Sequence, residues 1–129
     1  MSLNVSTALM HRAQRDTVTD QDFITCIRES LPYAWQVISN LVSRTDETGS
    51  SFAQDQAPPP SDEAQGQLLR AMASDAMREA LQRHFGVRIA FQNCHGVGVF
   101  TPAADESVYR DFVSARRQLL NQSPELINC

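Results

Sequence analysis

The sequence predicts an α+β domain, mostly helical, in which helices cover a small antiparallel β-hairpin. Three observations carry that expectation. Apolar residues recur at helical spacing through most of the chain. One stretch, Phe85-Gly-Val-Arg-Ile-Ala-Phe-Gln-Asn-Cys-His-Gly-Val-Gly-Val-Phe100, alternates with the period of a strand instead. With 129 residues, 42% of them apolar and 20% charged, the chain is long enough for one core and too short for two, so a single domain over 1–129 is expected.

The helical segments follow in order. Ser6 to Arg15 makes a short first helix, interrupted at Thr17-Val18-Thr19. Thr19 with Asp22 three residues later has the form of a capping box, with Asp in place of Glu, and opens a second helix. Phe23, Ile27, Leu31, Ala34, Trp35, Ile38 and Leu41 then keep one face across Pro32, where the helix kinks or restarts with Ser30 as cap. Trp35 and Tyr33 read as core and core edge rather than as a ligand box.

Residues 43–60 lose the period and are rich in polar residues, ending in Pro58-Pro59-Pro60; they predict a flexible linker or loop. Phe52, the one large apolar residue there, is expected to pin the loop onto its own core. Ser61 caps a third helix expected to run to His84, with Leu69, Met72, Ala76 and Ala80, and Leu68 and Leu81 beside them, as a narrow apolar stripe. After the hairpin, Thr101-Pro102 ends the second strand. A last helix from about Asp105 turns Val108, Phe112, Ala115 and Leu119 inward and leaves Arg110, Arg116 and Arg117 largely outward. The tail carries Leu126 and Ile127, available to the body or to another subunit.

The hairpin places its strands near 87–92 and 97–101. Val87, Ile89 and Phe91 share one face, which is expected to be buried, and Asn93-Cys94-His95-Gly96 supplies the turn. Gly86 suits the left-handed position after the preceding helix, and Gly98 suits a close approach or a bulge. Two strands alone are marginal in water. The expectation is therefore a homodimer, with the sheet completed across its interface.

Composition narrows the function classes. Net charge is −4 with no block of like charge, which speaks against nucleic acid and anionic membranes as partners. All 11 basic residues are Arg, so no lysine amine exists for Schiff-base chemistry. Cys26, Cys94 and Cys129 form an odd, widely spaced set that fits reduced thiols in a cytoplasmic protein. The amino-terminal residues lack the pattern of a secretory signal, and no apolar run approaches the roughly 20 residues of a membrane span.

Candidate chemistry centres on Cys94, His95 and His84. A thiol beside an imidazole is a possible nucleophile, yet neighbours in an extended chain point to opposite faces, and His84 would have to approach from the end of its helix. The plainer reading makes His84 a helix-end cation, Cys94 a small turn residue and His95 an exposed one. Metal binding through His11, Cys26, Cys94, His95 and Cys129 lacks the ligand spacing of a zinc site. Asp20, Asp22, Asp105 and Glu106 sit at helix starts, where the dipole accounts for them; Glu29 and Asp111 carry no further signal. Gly96-Val97-Gly98 lies within a strand and lacks the context of a phosphate loop. No cofactor or metal is expected.

Two function classes stay open. The first is a small, soluble, non-catalytic regulatory or accessory protein acting through contacts with an unidentified protein partner. The second is a small enzyme or ligand-binding domain with a pocket edged by Cys94, His95 and His84.

Overall fold

The order of elements in the computed structural model, which describes residues 3–93 and 95–121, is α1 (Thr7–Gln14), α2 (Asp20–Ser30), α3 (Pro32–Thr48), β1 (Phe52–Asp55), α4 (Asp62–Ala73), α5 (Asp75–Phe85), β2 (Arg88–Gln92), β3 (Gly96–Phe100), α6 (Glu106–Phe112) and α7 (Ala115–Leu120). The fold is α+β and mostly helical, with one small antiparallel sheet. No helix among the described residues is long and apolar enough to cross a membrane.

Local chemistry explains the helix boundaries. Ser6 accepts from the Leu9 N–H to start α1. Thr19 and Asp22 form a reciprocal capping box at α2. Pro32 does restart the helix, but the cap residue is Leu31, not Ser30, and Leu31 offers no side-chain acceptor. The buried Gln67 on α4 supplies it: its Oε1 accepts from the backbone N–H of Tyr33 at 2.6 Å and of Ala34 at 3.3 Å.

Two expected long helices are each divided by a serine. Ser74 adopts an extended conformation and accepts from Met77 N–H, so the segment from 61 to 84 is two helices, α4 and α5. Its inward face is Leu68, Ala71, Met72, Met77, Ala80 and Leu81, whereas Leu69 and Ala76 lie outside. Ser114 likewise accepts from Arg117 N–H and separates α7 from α6; Phe112 is buried, but Val108 and Leu119 are exposed.

The segment 43–60 is the clearest departure from expectation. Its first residues finish α3, which closes on the left-handed Gly49 (φ 71°), and Phe52–Asp55 form a third strand. Strand order is β1-β3-β2, antiparallel throughout, with Phe52 opposite Phe100 and Ile89 opposite Val99. The third strand of the sheet is thus supplied from within the chain.

Both faces of the sheet are covered, where the sequence pattern implied one. Ala53, Ile89, Val97 and Val99 join Ile24, Ile27, Leu31, Ile38, Leu41, Leu68, Met77 and Leu81 in the main core. Each such buried Leu or Ile contributes roughly 1.5–3 kcal/mol. Ala90, Phe100 and Phe112 form a second, smaller cluster on the other face. There Phe52 stacks on Phe100 at 4.9 Å and meets Phe112 edge-on at 5.8 Å, so this residue does pin its segment to the protein's own core.

Candidate functional site

The three residues singled out in the sequence occupy different parts of the fold. His84 is in the last turn of α5, exposed, with its ring 5.3 Å from Trp35 and 4.7 Å from Phe85. It borders a cavity of about 110 Å³ beside the Arg83–Asp20 ion pair. His95 follows β2 in the hairpin turn and is half-buried. The five residues of β2 separate the two imidazoles, each residue advancing the strand by roughly 3.3 Å. Cys94 lies outside the described residues. So does Cys129, while Cys26 is a buried thiol on α2 whose Sγ donates to Asn4 O at 3.5 Å. Among the described residues no three His, Cys, Asp or Glu side chains are grouped to hold a metal ion.

The acidic residues at helix starts are held by partners. Asp20 takes two hydrogen bonds from Arg83, at 2.9 and 3.1 Å, and this arginine holds its carboxyl below the usual aspartate range. Asp22 is lowered first by the backbone N–H of Thr19 and then by Arg12. Asp105 is lowered by the N–H of Ser107. Two of the three outward arginines sit in ion pairs: Arg110 with Glu106 at 3.7 Å and Arg117 with Asp111 at 3.1 Å.

A cavity of about 360 Å³ opens between the α5–β2 junction and the start of α6, lined among others by Gln82, Arg88, Phe100, Thr101, Glu106 and Tyr109. Its charge is largely internally matched. The Arg88 guanidinium lies 3.4 Å over the Tyr109 ring and bonds Glu106 at 2.9 Å. His84 and His95 do not line this cavity. Its residues are suited to holding α6 against the sheet, and none is a nucleophile paired with a base.

The carboxy-terminal edge is organised by a buried amide. Gln92, only 1% exposed, donates to Phe112 O at 2.7 Å, while its Oε1 accepts from Gln56 and from the Asn121 side chain. Gln118 on α7 accepts from Asn93 N–H at 3.3 Å. Polar contacts thus hold α7 in place, and this helix buries none of its residues. Leu119 and Leu120 are left 73% and 54% exposed, with Val108 and Val113 exposed nearby in sequence. Sequence reasoning missed Gln67 and Gln92 because a lone glutamine carries no local pattern; only the partner segments, far along the chain, reveal their roles.

A family model described as NucS shadow ORF matches residues 1–129. The chain belongs to that family. No curated protein and no solved structure matches it. The family's description names a reading frame and assigns its product no reaction.

Proposed function

We propose that this member of the NucS shadow ORF family is a small non-catalytic accessory or regulatory protein that works through protein contacts, beginning with a second copy of itself. The observation that carries this reading is α7. A helix that buries none of its side chains, yet presents adjacent leucines at 73% and 54% exposure, leaves apolar surface for a partner to cover. The buried free thiol of Cys26 supports a reducing, cytoplasmic setting.

The family model's name, KH NucS shadow, favours a second reading, nucleic-acid binding. KH modules clamp the nucleotide backbone with a Gly-x-x-Gly loop. The five glycines here, at 49, 66, 86, 96 and 98, form no such motif, and a net charge of −4 opposes phosphate. The protein-contact reading therefore stands ahead.

Light scattering across the micromolar range tests it, comparing the natural chain with Leu119→Glu/Leu120→Glu. A dimer mass for the first and a monomer mass for the second, with unchanged helical circular dichroism, is the expected result. A strictly monomeric natural chain would overturn self-association.

A further inference from the structure

In an antiparallel ladder the backbone groups of an edge strand alternate, one residue bonding inward and the next facing out. Here Thr101 N–H donates to Ser51 O, and the register continues it, so Ser51, Ala53 and Asp55 bond to β3 while Phe52 and Gln54 face out from β1. On the other side Arg88, Ala90 and Gln92 bond to β3, Ile89 and Phe91 face out from β2, and the N–H of Asn93, the first turn residue, continues that edge. Outward groups of this kind are a template for strand addition by another chain.

Side chains bond at least one outward backbone group at four of these five residues. On β1 the Ser50 hydroxyl donates to Phe52 O at 2.8 Å and accepts from Phe52 N–H at 3.3 Å, and Arg44 Nη1 donates to Gln54 O at 3.1 Å. On β2 Gln82 Oε1 accepts from Ile89 N–H at 2.9 Å, and Gln118 Oε1 accepts from Asn93 N–H at 3.3 Å. Gln82 and Gln118 come from helices on either side of the hairpin in sequence, so two separate elements converge on one edge. Phe91 is the one outward residue of β2 with no side-chain cover among the described residues. The sheet needs such guarding because its central strand, Gly-Val-Gly-Val-Phe, is apolar, uncharged and flanked by short partners.

We infer that Ser50, Arg44, Gln82 and Gln118 are edge guards, which stand in for neighbouring strands and close the sheet to strand addition by a second copy of the chain. This is independent of contact through α7: it excludes the sheet edges as the interface and says nothing for or against the helical face.

The experiment opens each edge separately, with Gln82→Met/Gln118→Met on β2 and Arg44→Met/Ser50→Ala on β1. Thioflavin T fluorescence and the infrared band of intermolecular sheet are followed at high protein concentration, while near-ultraviolet circular dichroism at low concentration reports the fold. The expected result is a several-fold rise in thioflavin signal for at least one folded pair. Gln82→Glu/Gln118→Glu, which keeps an acceptor on both N–H groups, stays near the natural chain. Folded Met and Ala variants that gain no intermolecular sheet would overturn the inference. So would loss of fold in both pairs, which would assign these side chains to stability alone.

Discussion

Gly98 and Phe112 occupy one another's space: a Cβ on Gly98 would lie 2.7 Å from Cζ of Phe112 and 3.0 Å from both Cε atoms. The tip of the Phe112 ring rests on the bare backbone of the central strand, and the second cluster of the fold is built on that approach. Gly98→Ala is therefore expected to destabilise the protein by about 1–3 kcal/mol through overpacking. Urea unfolding measures it. In a Phe112→Leu background the same change should cost less, and an equal cost would show that the two residues are not coupled.

Gln67→Leu removes the acceptor that Tyr33 and Ala34 N–H groups share at the start of α3. A buried donor left unmade costs about 1–3 kcal/mol, so the urea midpoint should fall by a corresponding amount. A midpoint equal to that of the natural chain would mean that water reaches those N–H groups.

The pH dependence has a definite sign. Asp20, Asp22 and Asp105 have carboxyl groups lowered from the ordinary aspartate value of 3.8 by their hydrogen bonds in the folded chain. A depressed carboxylate stabilises the folded form above the unfolded value, and that contribution fades as pH falls through the folded value. Stability should thus drop below about pH 3.8, and Asp22→Asn should flatten that part of the profile. Asp20 and Asp105 are exposed and Asp22 is half-buried at the surface, so the effect is modest and weakens with salt. An Asp22→Asn profile parallel to the natural one would remove the capping box from the explanation.

Amide exchange distinguishes a strand from a loop in 43–60. Ala53 and Asp55 N–H groups face β3 in the ladder and should exchange far more slowly than those of Gln56 and Ala57, which follow it. Uniformly fast exchange from 50 to 57 would return the segment to the flexible linker that its composition suggests.

Much of the fold was legible because its signals are local. The Thr19–Asp22 box, the Gly86 cap (φ 65°) and the alternation of Ile89, Phe91, Val97 and Val99 each follow from neighbouring residues. β1 was not legible: four residues, Phe-Ala-Gln-Asp, are too few for a period, and their strand state comes from pairing with residues 97–100. Helix breaks at Ser74 and Ser114 were hidden because serine is tolerated inside helices, and only its cap bond to a residue three positions later marks the restart. The phase of the carboxy-terminal helix failed with the same break, since Leu119 follows Phe112 on a continuous helix but not across Ser114. At the candidate site, Cys94, His95 and His84 drew attention by chemical type, whereas the exposed leucines of α7 become visible only once the break is placed.

Hydrogen exchange at low and at high protein concentration tests association through the α6–α7 edge most directly. Protection gained on concentration is expected to be confined to residues 106–120, with the β1 and β2 edges unchanged. Identical exchange at both concentrations, or a gain centred on either sheet edge, would contradict it.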